Sequence, residues 1–497
     1  MARGRRPPGE DAGRAAFENA EEFAGDDAHA GIGGTRDQKL ARKLMNDTGN
    51  AERFRIRHGR NLVYVDEIGW LAWTGSHWSA AEGDNKSQAA AQDTAKKIFD
   101  EARSIEEGSA DLAKKLSGWA VESGNAGRLA NMVKLSRSYL AKHVADLDAD
   151  PRLLNCQNGT LELPREAERS LRLRRHSRLD LITRVLPIGY DPQAAAPRWR
   201  AHLAWALPED DKRNFVQRLE GYLLVGDTSE QAFVFFWGDG ANGKSVITTT
   251  WHWLLGQYAQ VIPFASLVED SRRRGSEATP EMADLAGARA VFASESNPGN
   301  RLDIGRINAL TGGETIKVRH LNREFFDLQP RFKLVCSFNN KPIVRDASNG
   351  VWRRMKLVPF TQTVPESEVD RLLTEKLQSE GPGILNHMLD GFLLWRERGL
   401  AAPEAVTAAT REYREDSDPI GNFLDAATAR REGALVAARD LYACYEGWCD
   451  AGGIKPVTAT LFGRLLAGRG IEREKHGTKY YRGIEILAEL DFDWRPP

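Results

Sequence analysis

Eight consecutive residues, Gly238, Asp239, Gly240, Ala241, Asn242, Gly243, Lys244 and Ser245, spell GDGANGKS and match the pattern GxxxxGK[ST]. Glycines without Cβ let successive backbone N–H groups curl around an anion, and a helix starting where the loop ends adds its partial positive charge. In that geometry Lys244 reaches the β and γ phosphates of a nucleotide and Ser245 ligates a metal, so ATP and Mg²⁺ are the expected ligands. By average residue usage the pattern arises by chance in roughly two chains of this length in a hundred. The apolar segment AFVFFW before it and the helix-compatible stretch 245–255 after it supply the context that the motif requires.

Hydrolysis also needs groups beside the phosphates. Glu295 ends the apolar segment ARAVFASES, and strand ends in doubly wound sheets face the ligand crevice, where a carboxylate can polarise water. A polar residue at a strand end is, by itself, more often a solvated cap. FKLVCSF leads into Asn339 and Asn340, whose amides could orient the attacking water or sense the γ phosphate, although Asn339 to Pro342 is also good turn chemistry. GVWRRMKLVPF carries Arg353 and Arg354. A guanidinium suits the charge that develops on a transferring phosphoryl group, and an adjacent pair suits surface ion pairing too.

These residues sit in a basic stretch. Residues 301–360 hold 12 Lys plus Arg against 5 Asp plus Glu, a net of +7, whereas the whole chain has 69 against 70. A charged partner must therefore be met by a local patch. Within the stretch, TIKVRHLNREFFDLQ alternates around a polar tip near Asn322, the pattern of a hairpin exposing Lys317, Arg319, His320 and Arg323. Such a hairpin can grip a phosphate backbone, and an ordinary solvated ribbon reads the same way.

The elements that must position these groups give the fold class. A chain of 497 residues suggests about three folded units. Short apolar strands alternating with helices from about 198 onward indicate an α/β layer. The expected division is a disordered arm over 1–39, an N-terminal α+β module over 40–190, an ATPase domain with helical flanks over 191–415, and a final unit over 416–497. In the module, LVYVDEIGWLAWTGSHW reads as two short strands, and LLNCQNGTLEL as a hairpin turning at Asn158 and Gly159. Asp146, Asp148 and Asp150, followed by Pro151, read as a solvated loop. The final unit reads as helices, then TATLFGRLLAGRG, then two strands around His476 and Gly477, an order that resembles a winged helix. Its 451–485 stretch has 7 Lys plus Arg against 3 Glu, which suits DNA backbone contact, although winged helices also dock proteins. Cys156, Cys336, Cys444 and Cys449 show no metal-ligand spacing and read as buried thiols. No apolar run approaches the roughly twenty residues that span a bilayer. The basic opening residues lack a signal's apolar core, so a cytoplasmic location without membrane contact is expected.

The order of motifs, from the glycine-rich loop through Glu295, LTGGETIKVRHLNREFFDLQP and FNNKP to GVWRRMKLVPF, resembles the superfamily 3 helicase domain of phage and plasmid primase-helicase proteins, relatives of the poxvirus D5-like ATPases. The resemblance covers roughly 150–497. It implies an AAA+ type P-loop ATPase core with a C-terminal winged-helix domain, assembled as a homo-hexameric ring that translocates 3′ to 5′ on single-stranded DNA. Lys244 and Ser245 match the Walker A lysine and serine, Glu295 the Walker B glutamate, Asn339 the sensor asparagine, and Arg353, with Arg354 as the alternative, the arginine finger from a neighbouring subunit. Lys317, Arg319, His320 and Arg323 cover the DNA-gripping hairpin. Ser294 departs from the acid that many such ATPases carry before the glutamate, and the polymerising half of a primase-helicase has no counterpart in 40–190. The implied activity is ATP-driven DNA unwinding in phage, plasmid or mobile-element replication, with single-stranded and forked DNA and a replication initiator or primase as partners. An ATP-controlled DNA-docking or assembly protein without unwinding is the alternative, and a DNA primase a third.

Overall fold

The computed structural model describes residues 34–165, 168, 170–269, 280–295, 300–321, 325–344, 349–476, 478–488 and 490. The disordered arm expected over 1–39 lies outside them except for 34–39, where Thr35 caps a short helix, Arg36–Leu40, through its side chain.

Five apolar segments form one sheet: β1 (Phe233–Trp237), β2 (Ala259–Val261), β3 (Ala290–Glu295), β4 (Lys333–Phe338) and β5 (Met355–Pro359). Their spatial order is β5-β1-β4-β3-β2, and every neighbouring pair is parallel. Most residues of β1 and β4 are buried, as parallel strands covered on both faces must be. Alternation sorts them between two cores: Val234, Phe236, Val335 and Val358 face one, while Phe233, Phe235, Leu334, Cys336 and Leu357 face the other.

From β1 the chain runs outward to β2, whereas from β4 it crosses back over β1 to β5. The winding direction therefore reverses at β1 and β4, and the crevice beyond their carboxyl ends is where open α/β sheets bind ligands.

On the first face the helix Lys244–Leu255 buries Ile247, Trp251, Leu254 and Leu255. Behind it the helices Asp210–Leu223 and Gly381–Arg398 cross closely, for a Cβ on Gly221 would meet Phe392 N at 1.9 Å. The outer edge of β5 is covered by the helix Glu404–Asp416, whose Thr410 Oγ1 accepts a hydrogen bond from Leu357 N at 3.0 Å.

Residues Leu62–Val65, Gly69–Trp73 and Trp78–Ser79 make an antiparallel sheet against helices including Gly83–Ser104. Strands Leu153–Cys156 and Gly159–Glu162 form the expected hairpin, but Cys156 pairs with Gly159, so Gln157 and Asn158 make the turn. Gly159 is required by crowding: a Cβ there would lie 2.5 Å from Arg174 O of the third strand, Arg172–Arg174. Leu154, Cys156 and Leu161 of this hairpin join the first core of the five-stranded parallel sheet.

The expected solvated loop at 146–150 differs at Asp148. Its carboxylate accepts hydrogen bonds from Thr183 N and Thr183 Oγ1, and burial pushes its pKa up. In the last unit, Thr428–Ala437 is a strand where helix was expected, pairing with Thr478–Ile486. Its Ala- and Arg-rich composition carries little strand propensity, and only the long-range pairing defines it. Helix Ala459–Ala467 precedes the ribbon of Arg473–His476 and Thr478–Ile486. All four cysteines are buried free thiols.

Candidate functional site

The loop 238–245 leaves β1 at the reversal point and turns into the helix Lys244–Leu255. Gly238 has φ +158°, and a Cβ there would meet both Phe360 O and Asn242 Nδ2 at 2.4 Å. Gly243 has φ +87°, and a Cβ would press on His202, Trp205 and Ala206 at 3.1 Å. Only glycine fits such positions. The chain after β5 pins the loop, with Phe360 N donating to Trp237 O and Val364 N to Ala241 O, each at 2.8 Å.

The first intrahelical bond runs from Ile247 N to Gly243 O. The N–H groups of Lys244, Ser245 and Val246 thus begin the helix without intrahelical acceptors, and the dipole's positive end points into the crevice. Lys244 is 3% exposed. Its ammonium donates to Gly238 O at 2.5 Å, Asn242 Oδ1 at 3.0 Å and Asn339 Oδ1 at 3.3 Å. Each of these oxygens is neutral, so burial holds the Lys244 pKa below its ordinary value, with Asp239 pulling the other way. Asn242 Nδ2 is buried without a hydrogen-bond partner among the described residues. A cradle with a desolvated cation, free helix N–H groups and an orphaned amide donor fits an oxyanion.

Asn339 is exposed, follows β4 directly, and accepts Trp237 Nε1 through its backbone oxygen at 3.0 Å. Glu295 stands opposite Phe338 in the register of β3 and β4, at the same sheet end as the loop, while its side chain lies outside what is described. The structure thus gathers Gly238 to Ser245, Glu295 and Asn339 at one place. Ser245 is exposed on the helix's first turn and is the loop's own hydroxyl donor for a hard cation. Among the described residues no group of three or more His, Cys, Asp or Glu could hold a metal.

Arg353 and Arg354 lie elsewhere. They end the helix Asn349–Arg354 immediately before β5, and Met355 pairs with Phe233 at the start of β1, the sheet end opposite the loop. Arg354 is turned inward, donating to Asn308 O at 3.3 Å and reaching Thr311 Oγ1 at 3.5 Å. Arg353 is exposed, with Gln231 Oε1 at 3.5 Å.

The basic stretch is not all surface. Lys333 is 2% exposed, donates to Val225 O and lies 4.7 Å from the Tyr222 ring, so its charge is turned inward. The expected hairpin pairs Ile316–Val318 with Phe326–Leu328. Lys317 is bound across it to Asp327 at 2.9 Å, Arg319 stacks on Phe325 at 4.5 Å, and His320 lies 3.5 Å from Asp284. Arg323 and the tip at Asn322 lie outside the described residues. Exposed Leu321 and Phe325 flank the tip.

Sequence reasoning missed three neighbours of the site. His202 and Trp205 abut Gly243, and the three-residue spacing of Trp199, His202 and Trp205 was the available signal. Lys341 of FNNKP sits 4.7 Å from the Trp237 ring and 3.2 Å from Asp416.

Fold and site together define a mixed α/β protein with an oxyanion cradle at the reversal point of a parallel sheet. Residues 51–208 match the family described as "D5 N terminal like", and 415–469 match "Poxvirus D5 protein-like". An inferred helicase of Acanthamoeba polyphaga mimivirus is 30% identical over 262 residues, 48% of this chain and 27% of its own length. An inferred helicase of Frog virus 3 is 26% identical over 269 residues, 50% of this chain and 28% of its own. The chain thus spans little more than a quarter of the length of these curated relatives. The apo C-terminal region of NrS-1, residues 305–718, aligns with TM-score 0.40 and 14% identity, covering 60% of this chain and 77% of that one. Over these segments the chain is similar to D5-like proteins and to inferred helicases of large DNA viruses. The family match begins at residue 51, inside the N-terminal module and well before residue 150, where the resemblance was expected to start. Among the described residues no helix is long and apolar enough to cross a membrane.

Proposed function

We propose that the chain is the motor part of an ATP-driven DNA helicase acting in replication of a phage, plasmid or other mobile element. The observation that carries this reading is the buried Lys244 ammonium, held by three neutral oxygens beneath a glycine-rich loop at the sheet's reversal point. A desolvated cation so placed gains most from a polyanion, and a nucleoside triphosphate supplies one.

In this reading the N–H groups of the loop and of the helix's first turn bind the phosphates. Lys244 neutralises the terminal ones, and Asn339, already within reach of Lys244, is positioned to contact the γ phosphate or the attacking water. Glu295 would take a proton from that water. Magnesium, when bound, would offset phosphate charge, with Ser245 as the chain's own ligand to it. Arg353 lies at the sheet end opposite its own loop, so in this reading it serves the nucleotide of an adjoining copy. That requirement is the basis for a ring, for which six copies is the family-derived number. The hairpin strands Ile316–Val318 and Phe326–Leu328 and the basic stretch 451–485 are the candidate contacts to single-stranded and forked DNA.

The test uses Lys244→Ala, purified with an unchanged circular dichroism spectrum. It should lose magnesium-dependent ATP binding by calorimetry, DNA-stimulated hydrolysis, and unwinding of a duplex with a 3′ single-stranded tail. ATP-dependent DNA binding with no strand separation at either fork polarity would instead identify a docking or assembly protein.

A further inference from the structure

The helix Pro197–Ala206 carries a column of rings to the phosphate loop. Trp199, His202 and Trp205 recur every third residue and so wind along one side of it. Trp199 is stacked on His202 with ring centroids 6.2 Å apart, and His202 meets Trp205 at 5.9 Å. Exposure rises along the column, from 0% at Trp199 and 8% at His202 to 37% at Trp205. Its one open ring therefore stands where the column reaches Gly243 of the loop.

That ring is held by fixed neighbours. Pro197 starts the helix, and the buried carboxylate of Glu380 accepts Arg198 N at 3.0 Å and Trp199 N at 3.1 Å, which anchors the helix at its N-terminus. At the other end Trp205 packs on the loop, since a Cβ on Gly243 would lie 3.1 Å from Trp205 Cζ3. A single exposed tryptophan on a surface needs no explanation. This one stands on a particular side of the loop. Asn339 follows β4 and accepts from Lys244, and β3 with Glu295 lies beyond β4, so in the ATP reading the γ phosphate points that way. The chain leaving the helix Pro197–Ala206 goes to the other side: Lys212 Nζ donates to Pro359 O, at the end of β5, at 3.4 Å. β5 flanks β1 on the side away from β4. A triphosphate whose γ end points toward Asn339 sends its α phosphate, with the ribose and base attached, away from β4 and toward Trp205.

We propose that Trp205 is the base-stacking residue of the nucleotide site: the open face of its indole receives the heterocycle of the nucleotide whose phosphates lie on the loop 238–245. This rests on the reading of the loop as an ATP site and adds the contact that tells a nucleotide from a bare polyphosphate. The loop's N–H groups and Lys244 recognise charge and leave the base unread. An indole face offers a heterocycle offset stacking without any new hydrogen bond, and a ring already packed on His202 and Gly243 loses little freedom when the base arrives.

Calorimetry with ATP and with inorganic tripolyphosphate, each with magnesium, tests it, because the second ligand carries the phosphates and no base. Trp205→Ala should weaken ATP binding by about five- to a hundredfold. It should leave unchanged that part of tripolyphosphate binding which Lys244→Ala abolishes. Two further variants separate stacking from packing. Trp205→Phe keeps a ring and should recover most of the ATP affinity, whereas Trp205→Leu fills the space without one and should bind ATP as weakly as Trp205→Ala. Wild-type ATP affinity in Trp205→Ala or in Trp205→Leu overturns the proposal and leaves the loop reading standing. Equal weakening of both ligands also overturns it, for Trp205 would then only prop Gly243. A wild-type chain that binds neither ligand in a Lys244-dependent way sinks the loop reading, and the stacking role with it.

Discussion

Arg353 and Arg354 share a sequence neighbourhood and differ in what surrounds them. Arg354 adds a second donor, at 3.3 Å, to the Asn308 carbonyl that already accepts Gly312 N at 2.7 Å, and it is turned inward, so Arg354→Ala should cost about 1 kcal/mol, read as a lower urea midpoint. Arg353 is exposed, so Arg353→Ala should leave the midpoint within about 0.5 kcal/mol of wild type. It should nonetheless reduce ATP turnover by about a thousandfold. Equal stability losses in the two variants would remove the distinction. A different residue pair sets a pH response. His387 Nε2 lies 3.3 Å from Glu220 Oε2 in the packed layer behind the loop helix, where Trp251 Nε1 donates to Glu220 Oε1 at 2.9 Å. Burial raises the Glu220 carboxyl from 4.5 to about 8 and lowers His387 from 6.5 to about 4. Whichever residue carries it, the folded pair holds one proton between those limits, whereas the unfolded chain holds none above 6.5 and two below 4.5. From pH 6.5 to 8 the folded state binds the extra proton, so stability falls as pH rises; just below 4.5 the unfolded state binds it, so stability falls as pH drops. The alkaline loss amounts to about 2 kcal/mol. Glu220→Gln keeps an oxygen for Trp251 and should flatten urea midpoints between pH 6.5 and 8; an unchanged slope would refute the assignment.

Elements differ in how clearly the sequence announces them. Strands β1, β3 and β4 were legible because strands buried on both faces read as unbroken apolar runs, and the loop because its chemistry demands fixed residue types at fixed spacing. The strand Thr428–Ala437 was not, since it is half-exposed and polar and exists through its partner Thr478–Ile486, some fifty residues away. Nor was the inward turn of Lys333, because its acceptor, Val225 O, lies in a distant segment. The closeness of Arg411 and Arg414 to Arg353 was hidden for a related reason: on helix Glu404–Asp416 they look like ordinary solvated charges, and only the packing of that helix on β5 brings all three around one cavity. Close helix crossings leave a subtler trace. Gly391, in Gly381–Arg398, would place a Cβ 1.9 Å from Gln217 O, so the two helices touch backbone to backbone. Neither backbone can yield cheaply, and Gly391→Ala should destabilise by about 3 kcal/mol, at the upper end for overpacking. Because this layer supports the helix Lys244–Leu255 through Trp251, the variant should also weaken ATP binding, measured alongside its urea midpoint.

At the scale of the whole molecule, the loop and Arg353 occupy opposite ends of the same sheet. β5 runs beside β1 from Met355 opposite Phe233 to Pro359 opposite Trp237, so the two ends are separated by about 13 Å of strand alone. An arginine side chain cannot turn back over that length to its own loop. If Arg353 completes catalysis, it does so on another copy, and activity becomes a property of the assembly rather than of the chain. ATP turnover per chain, measured at saturating ATP and magnesium, should therefore rise with protein concentration and level off once sedimentation shows the assembled form. Dilution should reverse it. Adding excess Arg353→Ala chains, which retain an intact loop, should depress wild-type turnover per chain by inserting interfaces that lack the guanidinium, whereas excess Lys244→Ala chains still supply one. Constant turnover per chain across concentrations where the protein sediments as a monomer would place the whole reaction within one copy and leave Arg353 without a catalytic role.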